Sequence, residues 1–279
     1  MPELPEVETV KKSLVPYLKG QKIENVEILF TGIIKQPTPI LFKERIRGRT
    51  IVDLERRGKY LLFFLDGGLT LVIHLRMTGQ LTVCSGDVPI SKHTHLIFFL
   101  ASQQEWRFTD VRKLGLVYLV PTGNWACIHG LNNLGYEPLA EEFTLQVLGE
   151  LLRGRKGKIK PFLLDQSKIA GIGNIYADEI LCQAGLHPER TINTLRTVEV
   201  AKLYRAIKLI LKEAVVCRGT SLRDYVDGRG QKGNFQERLQ VYGRKGEPCY
   251  ECQTPLERIV VAGRGTVFCP RCQKLIPNG

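Results

Sequence analysis

The chain's strictest constraint on folding is a pair of cysteine dipeptide frames near its C-terminus. Cys249-x-x-Cys252 and Cys269-x-x-Cys272 are separated by sixteen residues, the spacing of a four-thiolate zinc site built on two β-turns. Such a site forces two chain segments together around one ion. It leaves no open coordination position, so one structural Zn2+ is expected and a zinc hydrolase is excluded. Two disulfides are the competing reading, disfavoured because the compartment looks reducing. Between the two pairs, Arg258 to Phe268 alternates like a β-hairpin with Gly263-Arg264-Gly265 at its tip, which would aim Arg264 outward. Cys84, Cys127, Cys182 and Cys217 show no ligand spacing and read as buried or free thiols.

Upstream the apolar period changes once. From Ile23 to about Val120, short β-rich segments such as Tyr60–Leu65, Leu69–Leu75, Leu96–Leu100 and Leu114–Val120 are separated by turn signals such as Asp66-Gly67-Gly68. An antiparallel sandwich or barrel is expected. Asn132–Phe143, with Gly135 and Pro138, reads as a linker, and beyond it the period becomes helical. Leu145, Leu148 and Leu152 mark one helix and Asn174–Ala184 another. Thr197–Cys217 forms a third, with Ala201, Tyr204, Ile207, Leu211 and Val215 on one face and Gly219 closing it. The expected class is therefore α+β and multidomain: residues 1–131 a helix plus sandwich, 132–143 a linker, 144–240 helical, and 241–279 the zinc finger.

The first eight residues, Met-Pro-Glu-Leu-Pro-Glu-Val-Glu, suggest chemistry. Removal of Met1 would leave Pro2 as a free secondary amine beside Glu3 and Glu6. Such an amine can form a cationic iminium with an aldehyde-level carbon and so drive bond cleavage. The same stretch also suits a helix start, with Pro5 in the first turn and Glu6 and Glu8 at the positive end of the dipole. Val7, Val10, Leu14 and Leu18 would bury one face of that helix, whose end Pro16 should weaken.

Lys and Arg number 40 against 28 Asp and Glu, a net charge of +12. That balance suits a polyanion partner. No apolar run reaches the roughly 18 residues of a membrane helix, and the acidic start is unlike a signal peptide, so a cytoplasmic protein is expected. Arg56-Arg57-Gly58-Lys59 precedes a strand, where Lys59 could reach a phosphate or serve only as a solvated turn. His74 lies among Leu71, Val72, Ile73 and Leu75, more a framework position than a catalytic one. His93-Thr94-His95 lacks companion ligands and is not read as a metal site. Gly171-Ile172-Gly173, just before a helix start at Asn174, is a weak phosphate-binding signal.

Taken together, PELPEVE, RRGKYL at 56–61, HLRMTGQL at 74–81, DVRKLG at 110–115, AGIGNIYADE at 170–179, TSLRDY at 220–225, VYGR at 241–244 and AGRGTVFCPRC at 262–272 resemble the formamidopyrimidine-DNA glycosylase family along essentially the whole chain. The resemblance implies a β-sandwich, a helical domain with a helix–two-turns–helix, and a zinc-finger hairpin, with duplex DNA across the cleft between the halves. It implies a base-excision repair enzyme with glycosylase and abasic-site lyase activities toward oxidised purines (8-oxoguanine and formamidopyrimidines), acting as a monomer on damaged double-stranded DNA in a bacterial cytoplasm. Pro2 would attack C1′ of the flipped nucleotide with Glu3 moving protons, and successive β- and δ-elimination would follow. By the same resemblance Lys59 and Arg264 would complete the catalytic set. They match family positions that grip phosphates near the lesion, as do His74, Asn174 and Tyr242. Glu6 matches a position that supports the pocket, residues 218–236 resemble the loop that closes over the extruded base, and Met77, Arg112 and Leu114 match the positions that fill the hole it leaves.

Two residues depart from the family pattern. Leu114 stands where phenylalanine is usual, a smaller wedge without a flat face. Val267 stands where histidine is common before Phe268-Cys269. Two alternatives are an endonuclease VIII-like enzyme for oxidised pyrimidines and a catalytically silent DNA-binding paralogue. The separate Met77 and Arg112 and the long 218–236 loop speak against the first, and intact Pro2, Glu3 and Lys59 against the second.

Overall fold

The N-terminal helix forms where the apolar spacing places it. In the computed structural model, which describes residues 2–276, α1 spans Leu4–Leu18. Its Val7, Val10, Leu14 and Leu18 are fully buried. The helix carries Pro16 in its last turn, where few further backbone bonds remain to be lost, and ends two residues later. Its apolar face joins a single core with the strands that follow.

Those strands are β1 (Ile23–Ile28), β2 (Ile34–Gln36), β3 (Ile51–Arg57), β4 (Tyr60–Leu65), β5 (Leu69–His74), β6 (Gly79–Ser85), β7 (Thr94–Leu100), β8 (Gln104–Asp110) and β9 (Leu116–Pro121), with α2 (Pro39–Ile46) between β2 and β3. They build a four-stranded sheet in the order β1-β7-β8-β6 and a five-stranded sheet in the order β2-β9-β5-β4-β3. Phe63 of the larger sheet meets Trp106 of the smaller at 4.6 Å between ring centroids. Trp106 in turn stacks on Phe98 at 4.5 Å. This aromatic contact is the centre of a β-sandwich. All named strand pairs are antiparallel except β2 with β9, which run parallel from Ile34 opposite Val117.

The helical part comprises α3 (His129–Asn132), α4 (Leu145–Leu152), α5 (Ile159–Leu164), α6 (Asn174–Ala184) and α7 (Thr197–Val216). The buried stripe of α7 is Leu203, Ala206, Ile207, Ile210, Leu211 and Ala214. Ala201, Tyr204 and Val215 lie at its edge, half-buried, so the stripe is rotated from the face expected. The rotation follows from Tyr204, which lies beside Phe143 (5.9 Å) and under the Lys208 ammonium rather than pointing into the core. The chain closes with the hairpin β10 (Glu257–Val261) and β11 (Arg264–Phe268). Its tip is Ala262-Gly263, both at positive φ (48° and 73°). That is the requirement of a two-residue hairpin turn. Arg264 is therefore the first residue of the returning strand, opposite Val261, rather than the tip itself.

The described residues fall into two compact units. One runs to Asn132 and includes Cys217–Gln236; the other holds Asn133–Val216 and the chain from Glu237 on. Among the described residues no helix is long and apolar enough to cross a membrane.

Candidate functional site

In the first unit, Pro2, Glu3 and Glu6 are buried at the head of α1. Glu3 is the N-cap and Glu6 the third residue of the helix, so their side chains and backbones can satisfy each other's first-turn groups. Glu6 holds two segments at once. Its Oε2 accepts the Glu3 N–H at 2.8 Å, and its Oε1 accepts the Thr220 N–H at 2.7 Å. Tyr225 adds a hydroxyl placed 3.2 Å from the Glu6 carbonyl and 3.1 Å from that of Arg218. Burial pushes its phenol well above the usual range, so it remains a donor. Gly219, at φ +78°, leaves room for the carboxylate: a Cβ there would lie 2.6 Å from Glu6 Oε1. The segment 217–236 is fixed again further along α1, where Ser13 Oγ accepts the Gly228 N–H at 2.8 Å.

Lys59 follows the Gly58 turn between β3 and β4 and is buried, as is His74 at the end of β5. Arg56, two residues before that turn, is held by Glu8 of α1 at 2.9 Å and donates to the Gly58 carbonyl at 3.0 Å. His74 Nδ1 accepts the Arg76 N–H at 2.9 Å. Burial, with Arg76 and Lys59 nearby, pulls its pKa down to about 3. The ring is therefore neutral, with Nε2–H left as a donor suited to an anion.

This has a stability consequence. An unfolded histidine takes up a proton near pH 6.5 and the folded one only near 3. Acidification through that window therefore favours the unfolded chain, by up to about 1.4 kcal/mol per pH unit. His74→Asn keeps an acceptor for Arg76 and removes the titration. We expect its urea midpoint, followed by tryptophan fluorescence, to fall less between pH 7.5 and 5 than that of the wild type. An equal fall would place the acid sensitivity elsewhere.

Met77, Arg112 and Leu114 are all exposed, on loops flanking β6 and β8. The buried Asp110 carboxylate accepts the N–H groups of Leu114 and Gly115, both at 2.7 Å, and thereby shapes the loop that carries Leu114. His95, in the histidine pair set aside as a metal site, has its Nε2 2.7 Å from the Asp110 carbonyl.

The second unit gathers the other residues. The turns between α5 and α6 are organised by Gln166, whose Oε1 accepts the Gly171 N–H at 2.8 Å and whose Nε2 donates to Ile172 at 2.7 Å and Leu164 at 3.0 Å. They deliver Asn174 to the start of α6 with Gly173 as N-cap. Asn174 Nδ2 donates to the Gly265 carbonyl at 3.0 Å. Its Oδ1 is buried without a hydrogen-bond partner. Asn174, Tyr242, Lys245, Arg258 and Gly265 line a cavity of about 400 Å³. Two buried carboxylates hold its walls. Glu179 accepts the N–H groups of Gln240, Val241 and Tyr242 at 2.8, 3.0 and 2.8 Å. Burial nonetheless raises its pKa against those bonds. Asp178 receives Lys160 Nζ at 2.6 Å and the Val267 N–H at 3.2 Å. Lys160 also donates to Thr266 Oγ1 at 2.7 Å. Burial pushes the Asp178 carboxyl up to about 7 despite the lysine. A helix start and a basic rim suit an oxyanion such as a phosphate.

Cys249, Cys252, Cys269 and Cys272 place their sulfurs within 4.8 Å of one another. The Cys252–Cys269 and Cys249–Cys272 separations are 3.4 and 4.0 Å. Tetrahedral thiolates on zinc at about 2.3 Å are about 3.8 Å apart, so the donor set fits Zn2+. The Cys272 N–H points at Cys269 Sγ (3.4 Å), stabilising a thiolate there. Gln273, fully buried, accepts the Cys269 N–H at 2.9 Å and donates to the Leu186 carbonyl at 2.8 Å. It thus ties the second cysteine turn to the end of α6. The motifs DVRKLG and AGIGNIYADE contain Asp110, Asp178 and Glu179 without disclosing their roles, and Gln166 and Gln273 stand outside any motif. The one available signal was a pair of adjacent acids, Asp178-Glu179, inside a helix whose other central residues are apolar.

The comparisons with known proteins agree along the chain. Residues 1–117 match the formamidopyrimidine-DNA glycosylase N-terminal domain, 134–226 the formamidopyrimidine-DNA glycosylase H2TH domain, and 246–275 the zinc finger found in FPG and IleRS. The chain is 50% identical over 275 residues to a formamidopyrimidine-DNA glycosylase of Pelotomaculum thermopropionicum, covering 99% of this chain and 100% of the relative. It is 50% identical over 277 residues to that of Heliobacterium modesticaldum, covering 98% and 100%. A Lactococcus lactis FPG variant crystallised with a Fapy-dG-containing DNA superposes with a TM-score of 0.91 at 39% identity, covering 98% of this chain and 100% of that one. The MutM (FPG) protein of Thermus thermophilus gives 0.88 at 41%, covering 99% and 100%. The chain belongs to the formamidopyrimidine-DNA glycosylase family.

Proposed function

We propose that this chain is a base-excision repair enzyme that removes formamidopyrimidines and 8-oxoguanine from duplex DNA and then cleaves the abasic strand, working where bacterial DNA lies, in the cytoplasm. The observation that carries the reading is the double grip of Glu6 on Glu3 and Thr220. One buried carboxylate fixes both the N-terminal pair and the segment 218–236, the two parts that must meet at an extruded nucleotide. Met1, whose removal would free the Pro2 amine, lies outside the described residues.

In this mechanism the damaged nucleotide leaves the stack, because C1′ is out of reach inside it. The Pro2 nitrogen then bonds to C1′ as the glycosidic bond breaks, and the base departs with the bonding electrons and a proton. Glu3 protonates the ring oxygen as the sugar opens, giving a Pro2 iminium. The positive nitrogen makes the C2′ proton acidic, so its loss expels the 3′ phosphate. A second elimination, with loss of the C4′ proton, expels the 5′ phosphate and leaves both ends phosphorylated, and water hydrolyses the remaining iminium to release the sugar fragment and restore the Pro2 amine. Lys59, neutral His74, Asn174, Tyr242 and Arg264 hold phosphates through this sequence, the charged and amide donors matching oxyanions. Four cysteines around one zinc keep the strand that carries Arg264 in place.

Single-turnover assays on duplexes carrying one defined lesion test the assignment. Excision of 8-oxoguanine or a formamidopyrimidine opposite cytosine, with phosphates on both new ends, is expected; cleavage confined to oxidised pyrimidines would replace the reading with an endonuclease VIII-like one. Leu114 adds a finer test. Unstacking a base step costs a few kcal/mol that an inserted side chain must offset. Leucine fills less of the gap than an aromatic ring, so Leu114→Phe should raise excision of the paired lesion yet barely change cleavage at a preformed abasic site. Equal acceleration on both, or on neither, would show that Leu114 does not limit extrusion.

A further inference from the structure

Two loops leave the same end of the smaller sheet. Gly79, the first residue of β6, pairs with Asp110, the last of β8. Met77-Thr78 and Val111–Gly115 therefore emerge side by side. Between them lies the Asp110 carboxylate, with no exposed surface. Its Oδ1 accepts the Thr78 hydroxyl at 2.5 Å and the Arg112 N–H at 3.1 Å. Its Oδ2 accepts the N–H groups of Leu114 and Gly115, both at 2.7 Å. Thr78 Oγ1 lies 3.2 Å from the Arg112 nitrogen and accepts from it as well.

The base of this arrangement is rigid. The Asp110 N–H donates to the His93 carbonyl at 2.9 Å, and Gly115 packs so closely that a Cβ would lie 2.4 Å from the Phe108 ring. The side chains it supports are the opposite: Met77 and Leu114 are 40% and 42% exposed. A carboxylate accepting several donors orders a loop that apolar contacts cannot.

We propose that Thr78, through Asp110, is a positioning residue that joins Met77, Arg112 and Leu114 into one preformed wedge. This rests on the reading above, that these three residues occupy the space vacated by the extruded nucleotide. Were the loops independent, each would have to be ordered as it entered the duplex, adding to the barrier of unstacking. Joined by one hydroxyl, they enter together.

The experiment compares Thr78→Val, which removes the hydroxyl at nearly constant volume, with Thr78→Ser, which keeps it. Single-turnover rates are measured on a duplex with 8-oxoguanine opposite cytosine and on one with a preformed abasic site. Thr78→Val is expected to slow excision of the paired lesion on the order of tenfold, to leave abasic-site cleavage within about twofold, and Thr78→Ser to restore the first rate. Met77→Ala and Arg112→Ala should combine non-additively with Thr78 present and additively in Thr78→Val, because contact-coupled residues lose their interaction when the link is cut. Equal slowing on both substrates would reduce Thr78 to a structural role and overturn the proposal. So would an unchanged paired-lesion rate in Thr78→Val while Met77→Ala is slow. If Met77→Ala alone leaves the paired-lesion rate unchanged, the wedge reading itself fails, and that single variant separates the two failures.

Discussion

Cys249→Ser should release the zinc and weaken DNA binding while the β-sandwich stays folded. The hairpin β10–β11 has only two strands, and its core is Val241, Cys249, Leu256, Val267 and Cys269. A two-stranded hairpin of this size is marginal alone. Zinc binding contributes about 10–16 kcal/mol in finger peptides, so loss of the ion should loosen this part even though Asp178 still holds Val267. Arg264 stands on the returning strand, and Gly265 accepts from Asn174. Losing the metal should therefore disturb both a candidate phosphate ligand and its neighbour. The expected loss of affinity is roughly ten- to a hundredfold, the scale of one charge-assisted hydrogen bond of about 1.5–3 kcal/mol. The sandwich belongs to the other compact unit, so its urea transition should not move. Elemental analysis of the wild type should find one zinc per chain; finding none, or finding that Cys249→Ser binds DNA as the wild type does, would contradict the account.

What could be read directly from the sequence was what local spacing determines. The four cysteines, the period of α1, the change from strands to helices and the glycine turn before Asn174 each follow from residues close together in the chain. What could not be read is polar and long-range. Lys160 finds Asp178 eighteen residues away and Thr266 more than a hundred away, and Glu179 finds the backbone at Gln240–Tyr242. A buried charge acquires its partner only when the topology closes, and neither motif nor periodicity encodes it. The same holds for Cys217–Gln236, which lies late in the chain yet belongs to the N-terminal unit. The hairpin tip shifted for a local reason: Ala262 takes a left-handed conformation that alanine rarely adopts, so the Gly-Arg-Gly run drew attention one residue too far along. The parallel pairing of β2 with β9 escaped notice because β2 has only three residues, too few to show a period.

We propose the nitrogen of Pro2 as the reactive atom of the chain. A model α-amine titrates near 7.7–8.0 and lysine near 10.4, so at neutral pH the terminus carries far more free amine than Lys59 would at its ordinary value. Reduction of the iminium by borohydride during cleavage of an abasic-site duplex would fix protein to DNA, and peptide mapping would locate the bond. One adduct is expected, on the N-terminal peptide at Pro2. Retaining Met1 or acetylating the terminus should abolish the adduct and lower strand cleavage by roughly 10⁴-fold or more, as loss of a nucleophile does, while DNA binding persists. An adduct mapped to Lys59, or one that forms undiminished on a capped terminus, would contradict the assignment.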